Sequence, residues 1–570
     1  MRRFLTALLL AFTLIAPLPL ATQAQRRSST GSAQANRGAG SYTNAAGRRA
    51  AEQITAQQLK DYLTFVASDE MEGRDTPSRG LDITAKFIAT NLSRWGLKPG
   101  GDDGTFFQKI AMRRFKINPS ATRAEMSGQT FNYGSDFLAS TSVGVSSPAG
   151  GGATGQLVYV GSGWVIKAKN IDAFQGVDVK DKIMVVAGGG LPKGVTFSDI
   201  QSGKQGVDYD SPLSYAQSHG AKGLVFVPNT NALTNWERSR QQAITTGSQP
   251  SVERFQQQAA ANTPALPVIT VSLGMLDTIF RGEQVNGAEI FRRRVVEEPG
   301  AAFALTASKV MTFNVGTIKE SVGTQNVVGI WEGSDPVLKN EYVAIGAHYD
   351  HVGVGTPVQG DAIYNGADDD GSGTVAVLAM AEAFSKSPRP KRSIIFVWHA
   401  GEEKGLWGSR YFTEYPTVPL NQIVTQLNID MIGRSKREGD TNRRNASLSG
   451  PNEIYVIGSK MMSTELGELS DRTNQAYLNL SYNFKYDDPK DPNQFFFRSD
   501  HYNYARKGVP IIFYFDGEHE DYHRPGDEVS KIDFQKMERV SRTIFLTGWE
   551  IANLAARPKV DKQLPSELNQ

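Results

Sequence analysis

The sequence predicts an α/β fold, a mixed sheet sandwiched by helices, with a smaller β-rich domain inserted into it. Three observations carry that expectation. After about residue 300 the chain repeats strand, loop, helix and strand. Its strand candidates there are unbroken apolar runs, as strands buried on both faces require. Between roughly 130 and 300 the texture changes to short β-branched runs separated by polar, Gly-rich loops. At 570 residues the chain is also too long for one ordinary core.

The elements follow in order. Arg2 and Arg3, the mostly apolar stretch from Phe4 to Leu20, and Thr22-Gln23-Ala24 read as a secretory signal over 1–24. Pro17 and Pro19 break that stretch, it is short for a bilayer span, and no later segment matches its hydrophobicity; stable membrane insertion is not expected. Residues 25–50 are Ser, Gly, Ala and Arg and predict a disordered leader. Order is expected from near Thr55, with Leu59, Tyr62, Leu63 and Val66 on one helical face and Ile83, Phe87, Ile88 and Leu92 on a second. These open the main domain, assigned to 51–130 and 301–560. The insert, 131–300, offers strands at 157–160, 183–186, 224–227 and 268–271 and a helix at 212–219. Its Gly188-Gly189-Gly190 lacks the Lys-Ser/Thr ending of a phosphate loop, so nucleotide binding is a weak reading. The main domain resumes with strands at 343–346, 393–398, 423–429 and 509–515, and a helix over 374–384 that turns Val375, Leu378, Ala379 and Ala383 inward. Residues 561–570 are a tail.

Charge and cysteine content narrow the function. Without Arg2 and Arg3 the formal charge falls from +2 to zero, which gives nucleic acid or an anionic membrane no electrostatic hold. There is no cysteine. Metal ligands would have to be imidazole and carboxylate, a set that suits catalytic zinc, or manganese or cobalt, better than a structural zinc knot.

Six of the seven histidines fall between 348 and 523, interleaved with carboxylates. The candidates are His348 and Asp350 in Ala-His-Tyr-Asp-His, the run Asp368-Asp369-Asp370, the pair Glu402-Glu403, Asp430 in Leu-Asn-Ile-Asp-Met, and His523 in Asp-Tyr-His-Arg-Pro. Each lies just beyond the C-terminal end of a predicted strand or in the next loop, where open α/β sheets gather their sites. The Asp run precedes a helix whose free N–H groups favour negative charge. Two divalent ions about 3.5–4 Å apart could together polarise a carbonyl and acidify a water. Each needs its own His and carboxylate, plus one carboxylate shared between them. A further unligated carboxylate must carry the proton to the leaving amine, and the Glu pair can divide those tasks. Asp350, two residues beyond His348, is placed to hold its imidazole. Of the other histidines, His399 is expected to pack or hydrogen-bond, His219 to be structural, and Asp500-His501 to support the site wall; His351 and His519 lie nearby.

Ala-His-Tyr-Asp-His-Val-Gly, Asn-Gly-Ala-Asp-Asp-Asp-Gly-Ser-Gly, Gly-Glu-Glu-Lys-Gly-Leu-Trp-Gly-Ser, Leu-Asn-Ile-Asp-Met and Tyr-His-Arg-Pro-Gly-Asp together resemble the zinc aminopeptidases related to bacterial leucyl aminopeptidases and to glutamate carboxypeptidase. The resemblance spans roughly 55–130 and 300–555, and the insert looks like a protease-associated domain. It implies a three-layer zinc-peptidase fold with two zinc ions. His348 and Asp430 would hold one, Glu403 and His523 the other, and Asp369, followed by a cis peptide, would bridge them. Glu402 is the implied general base, Asp350 the His-orienting residue and Tyr522 the oxyanion stabiliser. The implied function is an exported aminopeptidase, periplasmic or secreted, acting on peptides. A carboxypeptidase- or dipeptidase-like member, a single-zinc glutaminyl cyclase and a non-catalytic receptor-like protein are the alternatives.

Overall fold

A computed structural model of the chain describes residues 43–565 apart from 141, 144–146, 149, 202 and 256–265. The signal and most of the leader expected at 1–50 lie outside the described residues. The part of that leader that is described is helical, contrary to the disorder expected of it. Helix α1 (Ala45–Ala51) is capped by the Asn44 side chain, which accepts from Ala46 N–H. It lies against α8 (Phe534–Asn553), and a Cβ on Gly47 would sit 2.6 Å from a Trp549 ring carbon. The small residues that made this segment look coreless are what allow the close approach. Helices α2 (Ala56–Val66) and α3 (Arg79–Arg94) follow, where the apolar periodicity placed them.

The main sheet has ten strands. Its principal members are β1 (Phe107–Ile117), β2 (Thr317–Trp331), β3 (Tyr342–His348), β4 (Ser393–His399), β5 (Ile423–Ile429), β6 (Glu453–Ile457), β7 (Ser481–Asn483) and β8 (Ile511–Phe515). They are ordered β1-β2-β4-β3-β5-β8-β6-β7. The central four, β4-β3-β5-β8, are mutually parallel, while β1 and β2 are antiparallel to each other and β2 to β4. From β3 the chain passes through α4 (Gly373–Ser385) to β4 on one side, then crosses to β5 on the other. That reversal at β3 opens a crevice beyond the carboxyl ends of the parallel strands.

Both faces of this sheet are covered. Along β4, Ile394, Phe396 and Trp398 join the core beneath α2, α3, α4 and α8, while Ile395 and Val397 join a second core with Phe412 of α5 (Trp407–Glu414) and Tyr504 of α7 (His501–Ala505). The strict alternation, with every residue apolar or buried, is the signature of a strand between two helical layers. Among the described residues no helix is long and apolar enough to cross a membrane.

The insert leaves from the end of β1 and returns at the start of β2, where Ile117 pairs with Thr317. It is therefore a domain placed at the tip of a long hairpin. Its nine-stranded sheet includes the expected strands, now Gly151–Tyr159, Ile183–Val186, Gly223–Phe226 and Val268–Val271, all parallel in turn. It also takes in Arg123–Met126, Gln129–Asn132, Phe303–Ala304 and Val310–Val315. Because Val310–Val315 pairs with both Arg123–Met126 and Gly151–Tyr159, the boundaries at 131 and 300 cut through one ladder. Helices at Pro212–Ser218, Leu273–Phe280 and Gly287–Val295 make the insert more α/β than its strand-rich sequence suggests.

Candidate metal centre

His348 closes β3, and its ring is about fully buried at 1% exposure. Its Nε2 lies 3.4 Å from Asp369 Oδ1 and 3.6 Å from Asp430 Oδ1. Asp430 follows β5 directly, and Met431 after it adopts a left-handed φ of 58°, which turns the chain out of the strand. The three ligand atoms lie within 4.8 Å of one another, close enough for one cation.

A second group shares Asp369. Its Oδ2 is 3.1 Å from His523 Nε2, and the same imidazole nitrogen is 3.1 Å from Glu403 Oε2. His351 Nδ1 stands 2.8 Å from Glu403 Oε1 and 3.7 Å from Asp369 Oδ2. His351, Asp369 and Glu403 also fall within the 4.8 Å reach of a single cation. His523 has a left-handed φ of 53° and its ring stacks on Tyr522, centroids 3.9 Å apart.

The Asp run divides three ways. Asp369 faces the histidines. Asp370 Oδ1 accepts from Gly373 N–H at 2.9 Å and Met431 N–H at 3.1 Å, tying the start of α4 to the end of β5. Gly373 has no room for a side chain, since a Cβ would meet Asp370 Oδ1 at 2.4 Å and Ile429 O at 2.5 Å. Asp368 turns away, accepting from Gly433 N–H at 2.7 Å with its other oxygen 3.4 Å from His519 Nε2. The peptide between Asp369 and Asp370 is cis.

The remaining predicted residues sit around this pair of groups. Glu402 lines the cleft beside His348, Asp369 and Asp430, together with Tyr522. Asp350 orients His348 by a different atom from the one expected. Its backbone carbonyl lies 3.1 Å from His348 Nδ1, while its carboxylate is 3.7 Å away and accepts the Glu402 backbone N–H at 3.1 Å. His399 pairs with Asp500 at 3.2 Å and with the Tyr504 hydroxyl at 3.0 Å, and His501 stacks on Phe513. His219 packs on Tyr215 in the insert.

Sequence reasoning gave His351 no task. Its signal was present in the spacing, since a second His only three residues after His348 leaves the same strand end. It also missed Arg74, fully buried behind the site, whose guanidinium donates to the carbonyls of Val66, Tyr349, Asn365 and Gly366 and pins the loops before and after the histidines.

The electrostatics call for cations. Burial opposes charge on Asp369, but His351, His348 and His523 hold it well below the usual carboxylate range. Burial lifts Glu402 well above its ordinary value despite His348, with Glu403 and Asp430 adding repulsion. Against the cost of burial, Asp369 and Glu403 raise His523 to about 10. Asp369 Oδ2, Glu403 Oε1, His523 Nε2 and both ring nitrogens of His351 are buried without a hydrogen-bond partner. Buried polar atoms are rarely left so. A cluster of such atoms with carboxylates in excess, all hard or borderline donors, fits divalent zinc.

An open α/β sheet with imidazoles and carboxylates gathered at its switch point is an arrangement that can hold divalent cations and through them activate water. Residues 326–547, the ligand-bearing part of the chain, match the model of peptidase family M28. Leucine aminopeptidase 2 of Trichophyton equinum is 28% identical over 204 residues, 35% of each chain. A probable zinc metalloprotease of Pyrenophora teres f. teres is 26% identical over 343 residues, 53% of this chain and 68% of that one. The chain spans about a third of the length of the first curated relatives it matches. Among solved structures, an aminopeptidase from Aneurinibacillus sp. strain AM-1 aligns over 91% of this chain and 98% of its own at 17% identity and a TM-score of 0.48.

Proposed function

We propose that the chain is an exported two-zinc aminopeptidase that removes N-terminal residues from peptides. His348, Asp430 and Asp369 would hold one ion, and Asp369, Glu403 and His523 the other, with His351 Nδ1 2.8 Å from the second oxygen of Glu403. Zinc bound there supplies a Lewis acid for the scissile carbonyl and a water acidic enough to attack it. Glu402 is the proton carrier: burial and neighbouring carboxylates raise its proton affinity, so it can accept a proton in one step and release it to the leaving amine in the next. Asp350 fixes both ends of this arrangement, holding His348 by its carbonyl and the Glu402 backbone by its carboxylate. Tyr522, stacked on His523 and lining the cleft, is the donor for the developing oxyanion. The Arg2-Arg3 start and the apolar stretch after it support export to a periplasm or the medium.

One observation favours the amino over the carboxyl end of the substrate. The only cationic side chain lining the cleft among the described residues is Arg498, and Glu518 engages it at 2.6 Å. A substrate carboxylate would find that guanidinium taken. Incubating the protein with free and N-acetylated peptides, with and without a chelator, tests the reading by mass spectrometry. Stepwise loss from free N-termini alone, abolished by chelation, is expected. Trimming from C-termini or of acetylated peptides would overturn it.

A further inference from the structure

The loop that carries His523 also reaches back to the Asp run. Three consecutive backbone N–H groups there are captured by one residue, Asp527. Ala367 N–H donates to the Asp527 carbonyl at 3.1 Å, and Asp368 and Asp369 N–H both donate to its carboxylate Oδ2, at 3.0 and 3.1 Å. Asp527 is fully buried. Its own N–H is held by the Arg524 carbonyl at 3.2 Å, so the turn 524–527 is closed on itself. The other carboxylate oxygen makes no hydrogen bond and stands 3.8 Å from Arg434 Nη1.

We infer that Asp527 is a positioning residue that locks the shared ligand Asp369 to the loop presenting His523, so that both metal positions are formed together. The inference rests on the reading of Asp369 as the ligand common to the two groups. The physical argument is one of backbone placement. Asp369 can face both groups only if the chain at 367–370 is held where its carboxylate points between His348 and His523. The helix that begins at Gly373 starts too late to satisfy the amides at 367–369, and buried N–H groups need an acceptor. One oxygen of Asp527 accepts two of them and so fixes the chain on both sides of the Asp368–Asp369 peptide. Outer partners of this kind typically alter metal affinity about 10–100-fold when removed. Since Asp369 belongs to both groups, loosening it should weaken both ions at once, whereas loss of His523 weakens one.

The test is zinc retained per chain at buffered free zinc, with apo-protein melting temperature as the control for folding. The purified full chain is compared with D527N, D527E, D527A and H523A. D527N keeps an acceptor at the same reach and is expected to hold both ions within about threefold of the parent affinity. D527E keeps the charge but moves the oxygen by one methylene, and D527A removes it; each is expected to lose about tenfold or more at both positions. H523A is expected to lose one ion and keep the other. A D527E variant that binds better than D527N would show that charge and not placement matters, and would overturn the inference. So would D527A or D527E releasing a single ion while retaining the other. If D527A does not fold, the order of the Asn and Glu variants decides the question. A parent protein that binds no zinc would instead overturn the reading of the site itself.

Discussion

Two buried ionic clusters meet at Asp368-Asp369-Asp370, and they are built on opposite plans. On one side, Asp369, Glu403, His523 and His351 face one another with atoms left unsatisfied. On the other, Arg434 binds Asp521 through two nitrogens, each at 3.1 Å, its backbone N–H donates to Asp516 at 2.6 Å, and Lys536 donates to the Arg434 carbonyl at 2.7 Å. Asp368 turns into this second cluster and Asp369 into the first. The closed cluster sets Arg434, Lys531 and Lys536 among its carboxylates, although Asp368 Oδ2, Asp516 Oδ1 and Asp527 Oδ1 there also lack a hydrogen-bond partner; the open one brings only imidazoles to its carboxylates. Burial of charge thus stabilises in one place and prepares a binding site in the other, within three residues of the same chain.

The largest expected effect belongs to the open cluster. E402Q should lower kcat by about 10²–10⁴-fold while the protein keeps its zinc, if Glu402 is the proton carrier proposed above and not a ligand. Steady-state kinetics and metal analysis on one preparation check this, and loss of zinc along with activity would move Glu402 into the ligand set. Next comes the closed cluster. R434M removes the guanidinium from Asp521 and Asp527, while the backbone N–H bond to Asp516 and the Lys531 contact to Asp521 remain, and should cost about 3–5 kcal/mol, read as a shift in urea midpoint for the apo protein. An unchanged midpoint would mean that the closed cluster is not structural.

Removing each ion should cost no more than that. Chelation is expected to lower stability by about 3 kcal/mol per bound ion when free zinc had stood at a hundred times the dissociation constant, and to leave D369N unaffected. Thermal melts with and without chelator show it. The smallest effect lies outside both clusters, at His501. Burial lowers its pKa to about 3, so it stays neutral in the folded protein while the unfolded chain takes up a proton below about 6.5. Its contribution is intact above pH 6.5 and fades as the pH falls toward 3. Between pH 6.5 and 5 that amounts to about 2 kcal/mol, and H501F should flatten this part of the stability curve.

The contrast also explains what could be read in the sequence. The parallel strands were legible because residues buried on both faces leave unbroken apolar runs, as at Ser393–His399. The strands β1 and β2 were not, because where they run toward the insert exposed or half-buried polar residues such as Lys109, Arg113, Arg114, Lys319, Glu320 and Ser321 interrupt the apolar pattern. The histidines and paired acids of the open cluster stood out by scarcity and clustering. The closed cluster did not, since Arg434, Asp516, Asp527 and Lys536 are single charged residues scattered over a hundred positions and joined only by folding. Asp350 shows the limit at atomic scale. Its proximity to His348 followed from spacing, but which of its oxygens would serve the imidazole depended on where the Glu402 backbone settled.

The most direct measurement compares neighbours in the Asp run. Zinc per chain, determined by elemental analysis on the parent protein, D368N and D369N, separates the two clusters at adjacent residues. The account predicts two ions in the parent, two in D368N, and loss of both in D369N. Equal loss in D368N and D369N, or zinc undiminished in D369N, would contradict it.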